Sequence, residues 1–141
     1  MLMTKENVKK IVKYWQTTAE HDYETMLGLF NIKRYSDSLF YGHIILEKIL
    51  KGMVAQKTKK SAPYIHNLTM LSELAECALT EEEEALLDAT NKYNIRCRYP
   101  EFKLRFYKLC DLKYTKEKLD EIKKIYKKLC KQLEIKIKLE K

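Results

Sequence analysis

Apolar residues recur every three to four positions along most of the chain, which is the spacing of one face of an α-helix. The first such run covers residues 5–30, and Thr4 stands before it in the position of an N-cap. Its predicted inward face consists of Val8, Ile11, Val12, Trp15, Ala19, Tyr23, Met26 and Phe30. A second run, from about Tyr35 to Gln56, is followed by a basic loop, Lys57–Pro63, that ends it. The N-terminal half therefore predicts two long amphipathic helices.

The same pattern predicts two more helices in the middle of the chain. A short third helix is expected from about Asn67 to Cys77, and its inward residues are Leu68, Leu71, Leu74 and Ala75. Thr80 and Glu83 have the spacing of a capping box, so they predict the start of a fourth helix that runs to about Ile95. Pro100 disfavours a helix that continues past Tyr99, because proline restricts the residue before it.

Two helices are predicted beyond Pro100. The first is short and is marked by Phe102, Phe106, Leu109 and Cys110. Thr115 is expected to cap the last helix. That helix carries an apolar stripe consisting of Leu119, Ile122, Ile125, Tyr126, Leu129, Leu133 and Ile137. Since no segment alternates with a period of two, we predict an all-α fold: an up-and-down four-helix bundle with additional short helices, in a single domain over residues 1–141.

Charge is unevenly distributed along this basic chain, whose formal net charge is +8. Residues 92–108 hold six basic side chains and one acid, and residues 115–141 hold ten lysines and five acids. Residues 73–88 instead hold seven acids and no lysine or arginine. Such a chain can meet RNA phosphates on one side and a basic partner on the other. For the last helix, we favour the simpler interpretation that the lysines form a solvated face.

Several function classes find no support in the sequence. The longest aliphatic run in the middle of the chain, Ile44–Leu46, is far too short to cross a bilayer, and the N-terminus has no apolar signal segment, so we expect a cytoplasmic protein with no membrane partner. The four cysteines lack C-x-x-C spacing, which predicts reduced thiols and no metal site. No phosphate-binding or dinucleotide glycine motif indicates a cofactor.

Four polar residues fall on the inward faces of the first two helices. Asp22 lies seven residues after Trp15, and His43, Glu47 and Lys51 follow one another at intervals of four. Burying such groups is costly unless they pair. We therefore predict that Asp22, His43 or Glu47 hydrogen-bonds to one of the two arginines described next. Alternatively, Glu47 and Lys51 form only a solvated pair.

A second cluster lies where the fourth helix is expected to end. Arg96, Arg98, Tyr99 and Lys103 are grouped there beside Pro100. Arginine binds phosphate with two parallel hydrogen bonds and tyrosine stacks on bases, so these residues are candidates for nucleotide or RNA binding. Composition alone favours the alternative, in which salt bridges fix the turn. His66 is expected to serve as a hydrogen-bonding residue at the start of a helix.

These segments, taken in order, resemble the HEPN domain (higher eukaryote and prokaryote nucleotide-binding). The resemblance rests on four fragments of sequence, namely Trp15–Asp22, Leu39–Lys51, Pro63–Leu68 and Tyr93–Lys103. It implies a four-helix core, usually in a homodimer. It also implies a genetic neighbour, a minimal nucleotidyltransferase with which such proteins form toxin–antitoxin modules.

Many members of this family are metal-independent RNases with an Arg-x(4–6)-His motif, and this chain departs from that motif. No histidine follows Arg98 anywhere in the sequence. The resemblance therefore leaves Arg98, His43 and His66 as candidate catalytic residues without a complete motif. Three hypotheses follow: a non-catalytic nucleotide- or RNA-binding module with a nucleotidyltransferase partner, an RNase toxin with a substituted histidine, and a structural interaction bundle. We favour the first, because the arginines remain while the histidine that would transfer protons does not.

Overall fold

The computed structural model describes residues 2–140, and within that range the fold is built from helices and contains no strand. The six helices are α1 (Lys5–Asn31), α2 (Tyr35–Thr58), α3 (Leu68–Leu74), α4 (Glu81–Arg98), α5 (Pro100–Leu109) and α6 (Leu112–Leu139). This confirms the predicted all-α class with four long and two short helices.

Contacts between the long helices give their directions. Asp22 on α1 binds Lys48 on α2, while Met3, just before α1, donates its N–H to the carbonyl of Lys59 just after α2, so these two helices are antiparallel. On α4 and α6, Glu83 contacts Lys128 and Tyr93 contacts Tyr114, which again indicates antiparallel packing.

Helices α2 and α6 lie side by side and run in the same direction. Gly42 lies against Ile122, and fourteen residues later Gln56 on α2 reaches Glu140 just after α6. A Cβ atom added to Gly42 would lie 2.9 Å from Ile122 Cδ1, so the absence of a side chain allows α6 to approach closely here. The four long helices thus alternate in direction along the chain, as the up-and-down prediction requires.

The core is centred on α2, which contacts each of the other five helices. More than half of its residues are buried, whereas the other long helices bury only one stripe. The predicted stripe of α6 is confirmed, since six of its seven members are buried and Ile137 is half-buried. Leu74, which was predicted to face inward, is instead exposed at the end of α3, and Phe102 and Leu109 on α5 are exposed as well.

Helix caps explain most of the boundaries. The side chain of Thr4 accepts from the Asn7 N–H, and Thr80 and Glu83 form both bonds of the capping box, as predicted. Thr115 does not cap α6, so that prediction was wrong. Asp111 caps this helix one turn earlier by accepting from the Tyr114 N–H at 2.8 Å. Asp111 and Thr115 are both residue types that cap helices, and they lie four positions apart. Thr115 is buried in the core within the helix, so Asp111 is the cap.

The remaining boundaries differ by a few residues from prediction. Helix α2 continues to Thr58 and ends at Lys59, whose backbone is left-handed with φ 61°. Helix α4 continues to Arg98 and stops at Tyr99, and Pro100 then occupies the first turn of α5, where its missing N–H costs nothing. The two arginines predicted to follow α4 therefore lie in its last turn.

Candidate polar site on α2

Three polar side chains of α2 follow one another at intervals of one helical turn. His43 has 1% of its side chain exposed, Lys51 8% and Glu47 15%. They therefore lie inside the bundle surface and require partners from other elements. Those partners come from the loop between α2 and α3 and from α1.

The carboxylate of Glu47 is the centre of this cluster. Its Oε2 accepts a hydrogen bond from Lys51 Nζ at 3.1 Å, and its Oε1 accepts one from His66 Nδ1 at 2.9 Å. The same Oε1 lies 3.8 Å from His43 Nδ1, which is too long for a good hydrogen bond. One carboxylate therefore joins a buried lysine to a histidine of the loop.

The ring of His43 binds the backbone of the loop between α2 and α3. Its Nε2 lies 2.9 Å from the backbone carbonyl of His66, and because a carbonyl only accepts, Nε2 carries the proton. Burial lowers the pKa of His43, and the charges of His66 and Arg98 act in the same direction, while Glu47 opposes them. The ring is therefore neutral at neutral pH, and its burial keeps it from touching a ligand.

His66 has a different environment, since 54% of its side chain is exposed. Its Nδ1 donates to the Glu47 carboxylate, and within residues 2–140 no protein group occupies its Nε2. In the neutral ring this leaves a lone pair on Nε2 that faces water. A histidine held by a carboxylate, with its second nitrogen free, can accept a proton or a hydrogen bond from a ligand.

Lys51 completes the cluster at its far end. Its Nζ lies 5.5 Å from the centre of the Trp15 ring, within the range of a cation–π contact. The indole Nε1 of Trp15 is buried without a partner in the described part of the chain. The lysine is thus held between a carboxylate and an aromatic face, which explains how its charge is tolerated with little exposure.

The arginine cluster lies on the same face of α2, two turns closer to its start. Arg98 is exposed, and its guanidinium carbon lies 5.5 Å from the centre of the Phe40 ring. Phe40 and Glu47 are seven residues apart on α2, which places them about 10 Å from each other along one face. Arg98 and His66 therefore stand at two ends of a short stretch of surface.

The remaining residues of the arginine cluster point in different directions. Tyr99 is exposed, and Lys103 is exposed with its Nζ 6.0 Å from the Tyr107 ring. Arg96 is half-buried and lies close enough to Tyr93 to lower the pKa of that phenol, which burial raises. Within residues 2–140, no hydrogen bond or ion pair joins the side chains of Arg96, Arg98, Tyr99 and Lys103.

The predicted pairing of acids with arginines was wrong. Asp22 binds Lys48 at 2.5 Å, while Glu47 and His43 bind partners within α2 and at His66. Among residues 2–140, neither Arg96 nor Arg98 makes an ion pair. The two arginines lie in the last turn of α4, where water can solvate them. Asp22 and Glu47 instead form their ion pairs with Lys48 and Lys51, which lie beside them.

Two features of the site were missed from the sequence. Lys48 was not recognised as the partner of Asp22, and Phe40 was not recognised as the ring beneath Arg98. The antiparallel register of α1 and α2 could have indicated the first. The second depends on how α4 crosses α2, for which the sequence carries no local signal.

Other kinds of site find no support in the described part of the chain. Residues 2–140 contain no group of three side chains suited to hold a metal ion. None of their helices has the length and apolar character needed to cross a membrane. Cys77, Cys97 and Cys110 are free, and burial raises their pKa values to about 11, 12 and 12, respectively.

Comparison with known proteins gives one match. A family model described as the HEPN domain matches residues 12–136, which is most of the chain and includes every residue of the cluster. Neither the curated proteins nor the solved structures contain a significant match to this sequence.

Proposed function

Because the chain belongs to the HEPN family, we propose that it binds nucleotides or RNA through the surface between Arg98 and His66. The observation that carries the proposal is the exposed Arg98 guanidinium over Phe40, which has no acidic partner within residues 2–140. Such a guanidinium remains charged and can bind phosphate oxygens in pairs. The +5 charge of residues 92–108 supports attraction of a polyanion to the same end of the protein.

The test is fluorescence anisotropy of a labelled RNA hairpin with a single-stranded overhang, titrated with the protein at several salt concentrations. Binding should weaken as salt rises, and Arg98→Ala should weaken it further and reduce the salt slope by about one. Lys131→Ala on α6 is a matched control, because it removes the same charge from an exposed position. Equal effects of the two substitutions, or no binding at all, would contradict the proposal.

A second candidate function is metal-independent RNA cleavage. It is favoured by the contact between Glu47 and His66, which leaves Nε2 of an exposed histidine free beside the arginine face. Such a nitrogen can take a proton from a ribose hydroxyl, while Arg98 stabilises charge on the phosphate. Of the two candidate histidines, His43 is too buried for this role, which leaves His66.

Cleavage is tested by incubating purified protein with structured RNA in EDTA. We expect binding with negligible cleavage, because one histidine cannot both remove a proton from the attacking oxygen and supply one to the leaving oxygen in a single step. Robust cleavage that is lost in both Arg98→Ala and His66→Gln would establish the RNase instead. Cleavage that survives both substitutions would point to a contaminating nuclease.

We also propose that the protein forms a homodimer in the cytoplasm. Supporting this, large apolar side chains are exposed along the end of α4 and along α5, namely Ile95, Tyr99, Phe102, Leu104, Tyr107 and Leu109. Surfaces of this kind often mark protein interfaces. Light scattering across micromolar concentrations should give twice the chain mass, and Leu104→Glu should shift it towards the monomer. A monomer at every concentration would refute the dimer.

A further proposed partner is a minimal nucleotidyltransferase, with which the protein would form a toxin–antitoxin module. The exposed acids Glu81, Glu82 and Glu84 at the start of α4 offer a surface for a basic partner. Co-expression with the neighbouring open reading frame, followed by size-exclusion chromatography, tests the complex. Separate elution of the two proteins would count against the partner.

A further inference from the structure

The loop between α2 and α3 presents an aromatic ring at its tip. Tyr64 is fully exposed, at 101% of its reference area, so its ring packs against nothing in the described chain. The N–H of Ile65 donates to the carbonyl of Pro63 at 2.9 Å, and this makes Tyr64 the central residue of a γ-turn. Tyr64 thus stands at the apex of a tight turn, and Ile65 behind it packs on the core.

This loop is anchored on both sides of the tip. On one side, the carbonyl of Lys59 accepts from the Met3 N–H at 2.8 Å. On the other, Asn67 caps α3, and the Leu68 N–H donates to the side chain of Asn91 at 2.7 Å. Because the backbone of this loop is already held, little backbone entropy is lost when a ligand binds to the exposed ring.

The strongest anchor comes from the centre of the bundle. His43, on the buried helix α2, donates to the backbone carbonyl of His66, while Glu47 accepts from the His66 ring. Both the backbone and the ring of His66 are therefore fixed by side chains of the most buried helix. The buried ring of His43 and the largely buried carboxylate of Glu47 both hold this one loop residue, and such polar contacts fix its orientation.

Two exposed rings therefore stand two residues apart on a fixed support. The ring of Tyr64 offers a flat π-face, and the free Nε2 of His66 offers a hydrogen-bonding atom on the same loop. Lys60 is exposed on the same loop and adds positive charge. A π-face, an edge contact and a cation are the groups by which proteins recognise an unpaired nucleobase and its phosphate.

We propose that the loop of residues 59–67 is a stacking site for an unpaired base of RNA, with the ring of Tyr64 as the platform, His66 as the edge contact and His43 and Glu47 as positioning residues. This rests on the nucleotide- or RNA-binding function proposed above and specifies its ligand. The faces of bases in a duplex are covered by their neighbours, so only a single strand or a loop can use the platform.

The experiment compares a labelled 12-nucleotide single-stranded RNA with the 12-base-pair duplex of the same sequence. Tyr64→Ala should weaken binding of the single strand about 5- to 150-fold, the range found for stacking on one base, and leave duplex binding unchanged. Tyr64→Phe should retain the affinity, because stacking needs only the ring. Tyr14→Ala on α1 removes another exposed tyrosine and serves as the control.

The positioning role of His43 is tested by the ratio of single-strand to duplex affinity. A general loss of stability lowers both affinities equally, so it leaves this ratio unchanged. His43→Leu should reduce that ratio, and His43→Gln should restore it by donating an amide N–H to the His66 carbonyl. Unchanged single-strand binding in Tyr64→Ala would overturn the inference while leaving RNA binding by Arg98 intact. Absence of binding to either RNA would overturn the proposed function, and the inference with it.

Discussion

Replacing Glu47 with alanine should destabilise the protein more than any other single charge deletion on α2. The substitution leaves the ammonium of Lys51, only 8% exposed, without its carboxylate at 3.1 Å. Breaking a buried ion pair from one side costs about 3–5 kcal/mol. Because Glu47 retains 15% exposure and the Trp15 ring still faces Lys51, we expect the lower end, about 3 kcal/mol.

Urea denaturation monitored by circular dichroism measures this cost. With a slope of about 2 kcal/mol per molar urea, Glu47→Ala should lower the midpoint by about 1.5 M. Glu121→Ala is the matched control, since its 3.9 Å pair with Lys118 is largely exposed and should contribute less than about 1 kcal/mol.

A double substitution tests the reason for the loss. If the cost arises from a stranded buried charge, Glu47→Ala combined with Lys51→Met should be less destabilised than Glu47→Ala alone, because methionine removes the charge and keeps most of the volume. A loss below about 1 kcal/mol for Glu47→Ala would refute the stranded-charge reasoning. Additive losses in the double variant would refute it equally.

Three further predictions concern a titrating side chain, two glycines and two thiols. Because burial lowers the pKa of His43, the unfolded chain binds more protons than the folded one, and stability should fall as the pH drops below about 6.5. Between about pH 7 and 5, the urea midpoint of His43→Gln should therefore change less than that of the unsubstituted protein. Gly28→Ala should stabilise α1 by about 0.5–1 kcal/mol, because the added Cβ would meet nothing within 4 Å. Gly42→Val should destabilise the protein by about 2 kcal/mol, because α6 approaches closely there. Thermal melts that show the reverse order would contradict the packing described. The thiols of half-buried Cys97 and buried Cys110, with pKa values raised to about 12, should resist a thiol reagent at about pH 7.5 in the native protein and react in urea. Rapid labelling of the native protein would contradict the raised pKa values.

Most of the fold follows from local sequence features. The stripe on α6 and the caps at Thr4 and Thr80 depend on residues within a few positions of each other, so the pattern alone identifies them. The start of α6 was misplaced because both Asp111 and Thr115 can cap a helix. Which of them does so depends on packing against the core, and a local pattern carries no information about that.

The candidate site was only partly predictable for the same reason. The pair of Glu47 and Lys51 and its inward position follow from helical spacing, although spacing alone could not exclude a solvated pair. The contact of Glu47 with His66 crosses nineteen residues and depends on the path of the loop. The exposure of Tyr64 has no sequence signature either, because residue type does not decide it: Tyr93 and Tyr126 are buried, whereas Tyr14 and Tyr99 are exposed.

The central position of α2 sets where motion is possible in this protein. A helix packed against all five others exposes its amides to hydrogen exchange only when the whole bundle opens, whereas α5, with one buried side chain inside the helix, can open by itself. The side chains that hold His66 belong to α2, so we expect these two contacts to persist until the bundle itself opens. We therefore expect adjustment to a ligand on the α4–α5 side, where Arg98 lies, and faster amide hydrogen exchange in α5 than in α2.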